Sequence, residues 1–200
     1  MPSRSAFAVA GLALLLALVA GSAAAQNAAA TPPPPEIADK VQLCASCHGA
    51  NGLPVVEKVP IISGQQRFYL LKVLRDFRAG RRVSDIMTPV AKDLSNDQIS
   101  ALAKYFAAQP WPNFHQAAAD TDVEKAKTLA VAGKCTQCHL GRFLGHSDTP
   151  SVGNQKPDYL QQALTDLRGT VRQDAARMAA VVRSWSDDDI AAMSRYLAGL

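Results

Sequence analysis

The sequence predicts an all-α protein built as two tandem copies of one small helical unit. Three observations predict it. Apolar residues recur at intervals of three and four, the spacing of a helix face, and no stretch alternates apolar with polar as a half-buried strand would. The chain also repeats itself, because Cys44-Ala45-Ser46-Cys47-His48 returns as Cys135-Thr136-Gln137-Cys138-His139, 91 residues later. The agreement continues downstream. Pro60, Gln65 and Tyr69-Leu70 match Pro150, Gln155 and Tyr159-Leu160 at an offset of 90, and Met87, Ser95, Ile99 and Tyr105 match Met178, Ser186, Ile190 and Tyr196 at 91.

Residues 1–25 read as a Sec-type signal peptide: Arg4 lies in a short leading region, Ala6 to Ala20 form an apolar stretch, and Ala23-Ala24-Ala25 supply a small-residue cleavage site. The apolar stretch has 15 residues, against the roughly 20 needed for a helix to cross a bilayer. Cleavage is expected before Gln26, leaving an exported chain that lives in the periplasm. Residues 26–35 are rich in Ala and end in four prolines, a stiff polyproline spacer with no capacity for a core.

The first domain is expected over residues 36–109. Phe68, Leu71, Leu74 and Phe77 form one helical stripe in it, and Ile99, Leu102, Ala103 and Phe106 form another, both expected to face a core. Residues 110–119 read as an interdomain linker, since Pro110 and Pro112 interrupt helical continuation. The second domain follows over residues 120–200. Ser95-x-x-Gln98, Thr121-x-x-Glu124 and Ser186-x-x-Asp189 have the spacing of capping boxes and mark helix entrances.

Composition narrows the function classes. The 200 residues are 48% hydrophobic and 19% charged, which excludes a disordered tail and a protein of many membrane spans. A formal charge of +4 is too mild to imply nucleic-acid binding. Four cysteines are too few for a disulfide scaffold, so their arrangement matters more than their number.

Cys-x-x-Cys-His is the attachment signature of c-type haem: the two thiols add across the vinyl groups, and the adjoining imidazole is placed against the iron. Two copies at equivalent positions imply two covalently bound haem c groups, on Cys44 and Cys47 and on Cys135 and Cys138, with His48 and His139 as axial ligands. Zinc sites and redox-active disulfides use Cys-x-x-Cys as well, but neither explains both histidines. A second axial ligand must come from elsewhere in each domain. Met87 and Met178 each lie 39 residues beyond their histidine, and that identity makes them the candidates. Met193 reads as a core filler among Ile190, Tyr196 and Leu197, while His115 and His146 suit surface or loop roles.

These motifs, with Met87-Thr88-Pro89 and with Gly64-Gln65-x-x-x-Tyr69-Leu70 followed by a basic helix, make the sequence resemble the dihaem cytochrome c4 family over residues 36–200. The resemblance implies two class I cytochrome c domains related by a pseudo-twofold axis, with periplasmic electron transfer as the task. It implies that the carbonyls of Pro60 and Pro150 accept the Nδ1 proton of the axial histidines. The second domain departs from the pattern between Leu140 and Asn154, where Leu140 replaces glycine after His139 and Gly153-Asn154-Gln155 replaces the Gly-Gln pair. The loop beside the second haem is expected to differ there.

The function expected is that of an electron carrier, not an enzyme, serving the redox proteins of a respiratory chain. A membrane-bound terminal oxidase and a periplasmic dehydrogenase are the candidate partners. The alternative is the dihaem subunit of such a dehydrogenase, as in flavocytochrome sulfide dehydrogenases; a catalytic haem with an open iron is a third reading, opposed by the two equivalent methionines. Arg67, Lys72, Arg75, Arg78, Arg81 and Arg82, set against Asp76 alone, are either a solvated face with partners for haem propionates or a patch that docks an acidic redox protein.

Overall fold

The computed structural model describes residues 31–50, 52–169, 171–172 and 174–200, so the signal segment over 1–25 and the first half of the spacer lie outside the described residues. Among the described residues nine α-helices and no strand are found: α1 Ala38–His48, α2 Arg67–Arg78, α3 Met87–Lys92, α4 Asn96–Ala107, α5 Asp120–Ala132, α6 Thr136–His139, α7 Pro157–Arg168, α8 Ala176–Val182 and α9 Asp187–Ala198. None of them is long and apolar enough to cross a membrane.

Two separate apolar cores form, one per repeat. In the first, α2 packs on α4 and α3, burying Leu70, Val73 and Phe77 against Ile99, Leu102 and Phe106. The second repeats this with α7 on α9 and α8, burying Leu160, Leu164 and Leu167 against Ile190, Met193 and Leu197. The stripe expected on α4 is buried as expected. That on α2 is rotated: Phe68 is 57% exposed, Leu71 and Leu74 are half-buried, and the core face runs through Leu70, Val73 and Phe77. Both sets obey helical spacing, and only the position of α4 decides which one turns inward.

Ser95 and Ser186 cap α4 and α9 with complete capping boxes: each hydroxyl accepts from the backbone N–H three residues on, and Gln98 or Asp189 returns the bond. Thr121 makes no such cap. The chain enters α5 earlier, from Ala119, and Asp122 in its first turn instead holds Arg195 of α9 at 2.6 and 2.8 Å. Ser186→Ala is expected to cost about 1 kcal/mol, read as a lowered denaturation midpoint with unchanged slope.

The four prolines do not float. Thr31 exchanges backbone bonds with the Gln109 side chain at 3.1 and 3.4 Å, tying the spacer to the end of α4, and Ile37 just beyond it is buried. Gln109 is itself buried, and residues 110–119 run irregularly from α4 to α5. Here Trp111 Nε1 donates to the Asn154 carbonyl at 3.2 Å and the His115 N–H to the Asn154 side chain at 2.6 Å.

The halves meet through a polar interface that is its own image. Gln65 pairs with both backbone groups of Ser151 at 2.8 and 2.9 Å, and Gln155 pairs with both backbone groups of Ile61 at 2.8 and 2.9 Å. Arg82 and Arg172 form an antiparallel backbone bridge across the same boundary. Each pair exchanges with the other on adding 90 to the number, which is the signature of a pseudo-twofold axis.

Candidate functional site

Local sequence places the two Cys-x-x-Cys-His motifs at helix C-termini. In the first half the motif closes the eleven residues of α1, and Gly49, at φ 83°, turns the chain away. In the second half α5 stops at Ala132, Gly133 and a left-handed Lys134 (φ 51°) follow, and the motif forms its own short helix, α6. All four thiols are free. Cys44, Cys47 and Cys135 are half-buried and Cys138 is exposed, so the chain holds no disulfide among them. Burial pushes the Cys44 thiol up to about 11 and raises that of Cys135.

Both motif histidines are buried, 7% and 6% exposed. His48 Nδ1 donates to the Pro60 carbonyl at 2.8 Å and His139 Nδ1 to the Pro150 carbonyl at 3.0 Å. Burial lowers both imidazole pKa values, an effect the proline carbonyls oppose in part. Each ring is therefore held neutral with its Nδ1 committed, which leaves Nε2 as the metal-binding nitrogen.

Met87 opens α3 and Met178 lies in α8, in matching places; each is half-buried and packs against the core of its own half. Met193 is 2% exposed, inside the second core. His115 and His146 are exposed, and His146 pairs only through its backbone with Thr149.

The loop after α6 is where the halves diverge. Leu140, Arg142, Phe143, Ser147 and Asn154 all have φ between 53° and 59°, a left-handed conformation that ordinary residues avoid. The buried Phe143 ring stands 6.4 Å from that of His139 and 6.2 Å from that of Tyr196. The backbone that seats His139 thus stores more strain than its counterpart, where Gly49 and Gly52 take positive φ values and Lys58 is the one left-handed non-glycine among the described residues.

Four of the six residues in the basic run are held by partners within the protein. Lys72 bonds Asp76 at 2.5 Å, Arg81 bonds Asp76 at 2.7 Å, and Arg78 bonds the Leu94 carbonyl and Asn96 at 2.7 Å each. Arg82 is buried, whereas Arg67, Arg75 and Arg81 are exposed, Arg81 while bonded to Asp76. The spacing concealed this because Asp76 is itself buried and draws two cations to it.

Sequence reasoning missed the charged and phenolic groups at the interface, although their presence in both copies was the available signal. Arg82 lies over the Phe77 ring at 4.8 Å and reaches the hydroxyls of Tyr69 and Tyr159 at 3.4 and 3.3 Å. Among the described residues no carboxylate pairs with it. Its pseudo-equivalent Arg172 does have one, donating to Asp174 at 2.8 and 3.1 Å. A buried guanidinium short of an anion fits a haem propionate, and the free thiol pairs beside neutral histidines fit the porphyrin's attachment and its iron.

Asp174 also sets a pH dependence. Burial raises its carboxyl, but the Arg172 hydrogen bonds and the charges of Arg172, Arg82 and Lys72 outweigh that and hold it below its usual 3.8. A lowered folded-state value means stability that is complete above the ordinary aspartate range and lost as pH falls through the folded value. Asp174→Asn is expected to lose about 1.5–3 kcal/mol near neutrality, a deficit that shrinks toward zero in acid. Denaturation midpoints of both chains across pH 2 to 7 check it.

A family model described as Cytochrome c matches residues 123–200. The chain is 33% identical to cytochrome c4 of Pseudomonas aeruginosa over 80% of its length and 85% of that protein's. It is likewise 33% identical to a thiosulfate dehydrogenase electron acceptor of Stutzerimonas stutzeri, with 78% of each chain covered. The crystal structure of reduced recombinant cytochrome c4 from Pseudomonas stutzeri superposes with a TM-score of 0.74 at 31% identity, covering 81% of this chain and 95% of that one.

Proposed function

The chain belongs to the cytochrome c4 family of dihaem c-type electron carriers, with two covalently bound haem c groups and redox proteins as partners, and from that premise we propose a periplasmic shuttle of single electrons within a respiratory chain. Residues 1–25 would export it and be removed. Cys44 and Cys47 hold the first haem and Cys135 and Cys138 the second, with His48 and Met87 on one iron and His139 and Met178 on the other. Haem iron supplies the one-electron chemistry, and thioether ligation raises its potential relative to a second imidazole. The protein's share is positional. Pro60 and Pro150 fix the tautomer and orientation of each imidazole, the two cores exclude water behind them, and buried Arg82 offers charge to a propionate at the interface.

The observation that carries this reading is the histidine-to-proline bond occurring in both halves at the same place in the repeat. The test is the ferric absorption spectrum of the matured protein, quantified per haem. Two iron-to-methionine charge-transfer bands' worth of intensity are expected. High-spin or methionine-free iron at either haem would replace the carrier reading with substrate chemistry at that haem.

A terminal oxidase is the acceptor this reading favours. A second reading rests on the relative named as a thiosulfate dehydrogenase electron acceptor: this chain would receive electrons from, or be bound to, a periplasmic dehydrogenase, the alternative for which flavocytochrome sulfide dehydrogenases are the example from sequence. Purification separates the two, since a free monomer supports the carrier and a stable heterodimer the subunit.

A further inference from the structure

The bond from each axial histidine ends on a peptide group whose other side belongs to the opposite domain. The Pro60 carbonyl accepts from His48 Nδ1 at 2.8 Å, and the N–H of the same peptide unit, on Ile61, donates to Gln155 Oε1 at 2.8 Å. In the other half the Pro150 carbonyl accepts from His139 Nδ1 at 3.0 Å, and the Ser151 N–H donates to Gln65 Oε1 at 2.8 Å. Both glutamines are buried, 4% exposed for Gln65 and 2% for Gln155.

Resting on the ligand assignment above, we infer that Gln155 tunes the first haem through His48 and Gln65 tunes the second through His139, each acting across the domain boundary as a positioning residue. An amide is one conjugated unit, so an acceptor on its N–H shifts electron density onto its oxygen. Hydrogen bonds in such a chain strengthen one another by roughly 10–30%. The Pro60 carbonyl thereby pulls harder on the His48 Nδ1 proton, and the imidazole becomes a stronger donor to ferric iron, which lowers the potential.

Orientation is not free, because Gln155 Nε2 donates to the Ile61 carbonyl at 2.9 Å and Gln65 Nε2 to that of Ser151 at 2.9 Å. Only one flip of each side chain satisfies both backbone groups, and it places the oxygen on the N–H. Each Oε1 also accepts the backbone N–H of the following residue, Gln66 at 2.8 Å and Lys156 at 3.0 Å, which pins the amides. The clamp joins the domains as well, but joining alone would affect both haems alike.

The experiment uses the full matured chain with both haems. Gln155→Met is expected to raise the midpoint potential of the haem on Cys44 and Cys47, and to move the His48 Nδ1 proton upfield in the NMR spectrum of the reduced protein, with the His139 proton in place. Gln65→Met should do the mirror image. Gln155→Glu keeps an oxygen on the Ile61 N–H and should move only the His48 proton, downfield; it carries the test if the methionine variant does not mature. Shifts confined to the substituted domain's own haem, equal shifts at both haems, or unmoved protons would overturn the inference. Failure of the ligand assignment itself appears separately, in the unsubstituted protein, as the absence of an iron-bound His48 or His139 ring.

Discussion

Met87→Ala is expected to remove the methionine charge-transfer intensity of one haem and to lower that haem's potential by a sizeable fraction of the roughly 0.8 V over which axial ligands set it. Half of the methionine band should remain, carried by the other domain. Met178→Ala should give the complementary half, and the double variant none. The reason lies in the repeat: each methionine stands at the start or middle of a short helix in the same place and packs on its own core alone. Redox titration with spectra of both single variants checks it. A full band in either variant would return that methionine to the core-filling role that Met193 has.

Gly145→Ala is the second large effect, and it falls on one haem only. Gly145 has φ 65°, and its N–H bonds the His139 carbonyl at 2.7 Å. A methyl group there would run into the carbonyl oxygens of Thr149 and Pro150, which are backbone and cannot rotate aside. The backbone conformation alone costs a side chain about 1–3 kcal/mol. The displaced Pro150 carbonyl is also the acceptor for His139, so the second haem should lose its Nδ1 bond and shift in potential, while the first keeps its spectrum. Stability and both potentials of the variant test this. A loss of stability with the second potential unmoved would mean that the loop yields without disturbing Pro150.

Which features were legible in the sequence follows from how far apart their parts lie. The haem motifs, the Ser95 and Ser186 caps and the α4 stripe are each written within a dozen residues, and the structure keeps them. Thr121 has the same capping spacing and makes no cap, because α5 is already helical from Asp120 and is entered from Ala119. Phe68 has the spacing of a core residue and is exposed, because α4 approaches the neighbouring face of α2. The six basic residues read from their density as a solvated face with partners for propionates or as a docking patch, and only the packed structure shows that Asp76 holds Lys72 and Arg81, that Leu94 and Asn96 hold Arg78, and that Arg82 is buried at the interface.

By itself the sequence determined the two helical units, the two Cys-x-x-Cys-His motifs and the equal spacing of both histidine and methionine pairs, since all of these are set by local periodicity or by comparing the chain with itself. Gln65 and Gln155 stood out there only as matching letters. Tertiary structure alone decided that each reaches the peptide behind the other domain's histidine, that among the described residues buried Arg82 pairs with no carboxylate while Arg172 has Asp174, and that the strain collects beside His139. The two glutamine contacts join residues 86 and 94 positions apart, and a hydrogen bond at 2.8 Å depends on where two packed cores come to rest, which no short stretch of chain encodes.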